Sequence, residues 1–235
     1  MAQLPRGQPL GLDLLAKHGV SAFRASALAR SGWLVHLARG VYMLPGDTLT
    51  RDGCLAFLSG RVSGFHVGSK TALDWRGVRH NVGFREVLSL WGNDRVALPS
   101  WFTERFKSRY QVTQLFDASL RKDFGLQPLP NGRPEVLVSV PERAMLELFS
   151  DVGKNQSLDE ARQLVEGLHS LRAKVLEELM AHVTRIKVIR LAESLSREFD
   201  LPWADLAKRH SQRLGGGKRW VGVAKSGERI DLRRS

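Results

Sequence analysis

Residues 9–44, PLGLDLLAKHGVSAFRASALARSGWLVHLARGVYML, constrain the fold more than any other stretch. Two short helical runs stand only three residues apart, and a hairpin follows at once. The run at 9–17 sets Leu10, Leu14 and Leu15 on one side of a helix. HGV makes the turn. Ser21 has the chemistry of an N-cap, because its hydroxyl can accept from an N–H left unpaired at a helix start, and AFRASALARS follows it. Gly32 suits the end of this second helix. Residues 33–37 and 41–44 then alternate in hydropathy around a turn at Ala38-Arg39-Gly40. Two helices joined by a short turn containing Gly make a helix-turn-helix, and a strand pair behind them makes its winged form.

The second helix must bury one stripe and expose another. Ala25 and Leu28, three apart, face the core, which leaves Arg24 and Arg30 outward with Ser21 at the N-terminus. Exposed donors near that end are what a helix needs to read a major groove. Arg39 at the wing tip is placed for a phosphate or a narrow minor groove, and His36 is a weaker contact beside it. The same pattern also suits a small helical subdomain with a solvated face, so charge has to be weighed.

Lys and Arg total 36 against 24 Asp and Glu, giving a net charge of +12 and a pI near 10.5. Such a balance is a footprint of polyanion binding. The excess is uneven: +3 over residues 1–60, +4 over 61–120, −2 over 121–170 and +7 over 171–235. That distribution predicts two contact surfaces, or one assembled from both ends of the chain. Apolar residues make up 43%, enough for a packed core. The single cysteine, Cys54, lies in the apolar run CLAFL and reads as a small buried hydrophobe. No apolar signal core or membrane-length run occurs, so a soluble, cytoplasmic protein without membrane partners is expected.

Downstream, helices are predicted at 50–59 and 69–76, short strands at 85–92, 110–116 and 135–140, and a loop at 127–134. Helices follow at 141–151, 157–168, 172–183, 185–199 and 202–213, and a closing hairpin turns at Lys225-Ser226-Gly227. The fold class is therefore α+β: a winged helix-turn-helix over 1–47 (or extending to about 80), then a mixed α/β and mainly helical domain over 48–235. In the helix at 185–199, Val188, Leu191, Ala192, Leu195 and Phe199 form an apolar face. Lys187, Arg190 and Arg197 cluster opposite it, and with Lys70 they are candidates for a second phosphate-binding surface. The basic run 208–210, Arg213, Lys218 and Arg219 extend this character, and Trp220 could stack on a base.

Enzymatic readings find little support. GFHVGSKT (64–71) imitates a phosphate-binding loop, but Ser69 stands where the second Gly belongs and no strand leads into it. The seven histidines lack metal-ligand spacing, and no nucleophile elbow occurs. No catalytic residue, metal or cofactor is expected.

SGWLVHLARGVYMLPGD, HVGSKTALDWRGVRH, VSVPERAMLELFSDV and ARQLVEGLHSLR together resemble the AbiEi antitoxin family of type IV (abortive-infection) toxin–antitoxin systems. The resemblance runs from about residue 10 to the C-terminus. It implies an N-terminal winged helix-turn-helix that binds inverted repeats in double-stranded DNA upstream of its own operon, with negative autoregulation. It also implies a C-terminal antitoxin domain that neutralises an AbiEii-like nucleotidyltransferase toxin without a stable complex. A direct toxin-binding module and a nucleic-acid-processing enzyme are the rival readings. One departure stands out: only about eight residues precede Pro9, so the first helix of a full winged helix is missing or very short.

Overall fold

The computed structural model describes residues 4–78, 87–214, 220–223 and 229–232. The chain starts with strand β1 (Leu10–Gly11), helix α1 (Leu12–Lys17) and helix α2 (Ala22–Arg30), followed by strands β2 (Val35–Ala38) and β3 (Val41–Met43). The three strands form an antiparallel sheet in the order β1-β3-β2. Leu10 and Gly11 are thus strand rather than the first turn of a helix, because their backbones pair with Tyr42 and Val41. Ser21 caps α2 as its chemistry suggests, its Oγ accepting from the Arg24 N–H at 3.3 Å. Leu10, Leu15, Ala25, Leu34, Tyr42 and Leu44 close a small core between the helices and the sheet. The middle strand β3 is buried throughout, and its Met43 reaches a second, larger core.

That larger core belongs to the rest of the chain. Helix α3 (Arg51–Ser59) leads into strand β4 (His66–Val67), helix α4 (Ser69–Trp75) and strand β5 (Leu88–Trp91). The one-turn helix α5 (Ser100–Thr103), then β6 (Ser108–Gln111), β7 (Leu126–Gln127) and β8 (Val138–Ser139) complete a mixed five-stranded sheet, ordered β6-β5-β4-β8-β7. Five helices follow: α6 (Pro141–Asp151), α7 (Leu158–Glu166), α8 (Ala173–His182), α9 (Ile186–Glu198) and α10 (Ala204–Leu214). Their apolar stripes and the sheet share one core that includes Leu90, Val138, Met145, Phe149, Leu179 and Leu191. Strands β9 (Trp220–Val223) and β10 (Arg229–Leu232) pair as the expected hairpin, whose turn lies outside the described residues. The architecture is α+β, and α6 spans residues 141–151 as its N-terminal Pro and apolar periodicity predict.

Two seams tie the parts together. Thr50 donates to the Gly7 carbonyl through both its backbone N–H (2.9 Å) and its hydroxyl (2.8 Å), and the Gly7 N–H donates to Asp47 at 2.7 Å. Gly53 in the first turn of α3 packs flush against that carbonyl, in space a methyl would overlap. The second seam is polar and buried. Glu147 on α6 accepts from His66 Nε2 (3.0 Å), the Ser69 N–H (3.0 Å), Ser139 Oγ (2.8 Å) and Arg143 Nε (2.9 Å). One carboxylate therefore joins β4, the start of α4, β8 and α6. Burial alone would raise its pKa, but His66 and Arg143 hold it at about 2.

Candidate nucleic-acid interface

The outward side of α2 and the hairpin beside it carry the N-terminal candidates. Arg24, Arg30, His36 and Arg39 are all exposed. None of these arginines has a carboxylate partner among the described residues. The Ser21 oxygen is engaged by the helix cap, while its O–H can still donate outward. Gly40, with φ +72°, lets the chain turn tightly behind Arg39, and a bulge between His36 and Ala38 tilts the tip. His36 stands edge-on to Tyr42 with ring centroids 5.6 Å apart, and the Tyr42 hydroxyl lies 3.4 Å from Ser26 Oγ on α2. The wing is thus locked to α2, and His36 packs as much as it presents.

Two features of this face went unread at the sequence level. Between Asp13 and Asp47 the chain contains no acidic residue, while Lys17, Arg24, Arg30 and Arg39 fall inside that span. The signal was legible, but counting charge over 60-residue blocks diluted it. Phe23 and Trp33 are 79% and 63% exposed, large apolar side chains on the outside of the winged unit. Periodicity alone would have assigned both to the core.

Of the four residues expected on a second surface, three are buried or engaged within the fold and Arg197 is exposed. Arg190 is 3% exposed, buried inside the helical layer. Lys187 Nζ donates to the carbonyls of Ser150 (2.9 Å) and Val152 (2.8 Å), capping the C-terminal end of α6. Burial, with the Lys154 charge adding to it, lowers the Lys187 amine to about 8. Arg197 sits 3.8 Å from Glu193. Lys70 is not an exposed cation at a helix start, because it pairs with Glu160 at 3.0 Å. For Lys187 and Arg190 the reason is that α9 packs against both α10 and α6, whereas Ser194, Arg197 and Glu198 of the same helix stay exposed. Arg213 likewise bonds the carbonyls at the end of α8. Lys218, Arg219 and the Trp220 side chain lie outside the described residues.

The phosphate-loop imitation in 64–71 also finds a structural role. His66 Nδ1 lies 2.7 Å from the Gly64 carbonyl and Nε2 faces Glu147, while Gly68 lies flush against the Glu147 carboxylate. Those residue types surround a carboxylate, which leaves no cradle for an anion. Ser119, His182 and Asp117 do meet, but both oxygens lie on Nδ1, and Nε2 faces Glu178 at 3.4 Å. A relay would need the serine and the aspartate on opposite nitrogens. Burial pushes the Cys54 thiol up to about 12, so it is no nucleophile. Among the described residues, no group of three His, Cys, Asp or Glu is placed to hold a metal ion.

A compact helix-turn-helix with a β-wing, mounted on a larger α+β domain, defines a class of winged-helix regulators. The chain belongs to the AbiEi family. Residues 1–84 match the model of the transcriptional regulator AbiEi antitoxin N-terminal domain, and residues 85–232 match the model of the transcriptional regulator AbiEi antitoxin of type IV toxin–antitoxin systems. No curated protein matches the sequence. Among solved structures, the RV2827C protein from Mycobacterium tuberculosis is similar, with a TM-score of 0.53 and 13% identity over 92% of this chain and 84% of that one. At that identity the likeness concerns the fold. No helix among the described residues is long and apolar enough to cross a membrane.

Proposed function

We propose that this antitoxin-family regulator binds double-stranded DNA upstream of its own operon and represses it, using α2 as the groove-reading helix and the β2–β3 hairpin as the wing. The observation that carries the reading is the acid-free span from Leu14 to Gly46, whose exposed residues include Arg24, Arg30 and Arg39, unpaired by carboxylates among the described residues. A polyanion meets only attraction from that span. Arg24 and Arg30 contact the groove or its phosphates, Ser21 donates to a phosphate, and Arg39, with His36 behind it, meets the flanking backbone. Membership of a type IV antitoxin family supports the further proposal that the larger domain neutralises a nucleotidyltransferase-type toxin without a stable complex, in the cytoplasm and without enzymatic activity of its own.

Footprinting on the DNA upstream of the gene, repeated at several salt concentrations, tests the DNA-binding claim. Protected inverted repeats with an affinity that falls steeply with salt are expected. No protection at low salt would remove the claim. Two further assays address the toxin. Rescue of toxin-arrested growth without co-purification of toxin and antitoxin at moderate salt supports neutralisation without a complex. Co-purification supports direct binding.

A further inference from the structure

Phe23 is the most exposed large apolar side chain among the described residues. It occupies the second position of α2, between the Ser21 cap and Arg24, at the end proposed to enter the groove. Helix spacing aligns Phe23 with Ala27 and Arg30 at three- and four-residue steps. On that stripe Phe23 and Arg30 are exposed and Ala27 is half-buried, whereas Ala25 is fully buried. Leaving an aromatic ring in water forgoes most of the stabilisation its burial would provide. Nothing in the fold requires it, because α2 is anchored through Ala25, Leu28 and Ala29.

The surroundings narrow what can cover the ring. No carboxylate lies in the sequence between Asp13 and Asp47, and the exposed Arg24 and Arg30 on the same helix have no carboxylate partner among the described residues. A neutral or cationic protein surface has nothing to match those charges. A DNA duplex matches them and also offers an apolar group on its groove edge. The C5-methyl of thymine is the apolar group a major groove displays, and apolar side chains are its usual partners.

Building on the DNA-binding reading above, we infer that Phe23 reads a thymine methyl in the major groove and is a specificity-determining residue of this protein. Arg24 and Arg30 hold the helix against the strands, and the ring selects among base pairs by contact with one methyl.

The test uses the full chain and a duplex carrying the protected upstream sequence, with thymines replaced one at a time by uracil. Uracil keeps every hydrogen-bonding group of thymine and lacks only the methyl. A single replacement at the contacted position of one half-site should weaken binding about fourfold, the value of one buried methyl group. Phe23→Ala should weaken binding to the thymine duplex to a similar or greater degree and be indifferent to that same replacement. Phe23→Leu should recover part of both effects. Since Phe23 is exposed, circular dichroism and the thermal midpoint of each variant should match the wild type. Three results would overturn the inference: no position sensitive to uracil, unchanged sensitivity in Phe23→Ala, or a Phe23→Ala protein that binds normally but has lost self-association or toxin binding. If no upstream duplex is bound at all, the DNA-binding reading falls first and this inference goes with it. A bound but uracil-insensitive duplex leaves that reading standing and removes only the role of Phe23.

Discussion

At the residue scale, exposed and buried cations do different work, and the difference is measurable. Arg39 lies exposed at the wing tip, so Arg39→Ala should weaken binding to all duplex sequences alike. The slope of log affinity against log salt should fall by about one unit. An unchanged slope would take the wing off the DNA. Arg24→Ala should instead narrow the gap between upstream and random duplex, and an equal loss on both would make it a phosphate contact. A third prediction concerns Asp151. Burial raises its carboxyl from 3.8 to about 6, against the Gln111 hydrogen bond and with help from the Glu147 charge. Between those pH values the folded protein holds a proton that the unfolded chain has released. The stability this group contributes is therefore present below about pH 4 and lost as pH rises to about 6. Asp151→Asn stays neutral throughout. Its stability relative to wild type should improve between pH 4 and 7, by at most about 3 kcal/mol. Denaturant titrations at both pH values check this, and an equal difference at each would refute it.

At the scale of elements, strands and helices were mostly legible, and their neighbours were not. Helices α6 to α10 follow from 3.6-residue periodicity and from Pro141 at a helix start, and the structure adds Ser157 as the cap of α7. Of the apolar face assigned to α9, Val188, Leu191, Ala192 and Leu195 are buried, and Phe199, just past its end, is half-buried. The basic residues of α9 do not act together, because Lys187 is drawn onto the end of α6 and Arg190 is buried, while Arg197 stays exposed. A single helix displays its own amphipathicity but not which neighbour will cover its polar side. The join between β4, α4, β8 and α6 through Glu147 was invisible for the same reason: its members lie 4 to 81 positions apart in sequence. Glu147→Ala should leave the buried Arg143 and His66 without their anion and cost about 3–5 kcal/mol in urea unfolding. Gly53→Ala should cost about 1–3 kcal/mol, because a methyl there overlaps the Gly7 carbonyl and opens the seam at α3. A Gly53→Ala protein as stable as wild type would show that the N-terminal segment is not held there.

For the whole molecule, two cores of unequal size set the order of stability. The winged unit has few buried side chains, from Leu4 to Leu44, whereas the larger domain shares one continuous core across its sheet and helices. Amide exchange should therefore be slowest in α6 and α9 and faster in α1, α2 and β2. Adding the upstream duplex should slow exchange over residues 22–30 and 35–43. Slowing confined to α9 and α10 would move the interface to the larger domain and rule out contact through α2 and the wing.

The amino-acid sequence by itself determined the local elements, the winged unit, the α+β class and the family, because each rests on periodicity, caps, turns and short motifs that act over a few residues. It also carried the basic charge and, in the gap between Asp13 and Asp47, the outline of the interface. Only the tertiary structure decided which cations remain available. Arg24, Arg30 and Arg39 stay in water because their elements lie on the outside of a thin unit. Arg190 and Lys187 turn inward because the N-terminal half of α9 packs against its neighbours, with Lys187 reaching the end of α6. The exposure of Phe23 was likewise decided by packing: Ala25, Leu28 and Ala29 suffice to anchor α2, and the ring is left facing out.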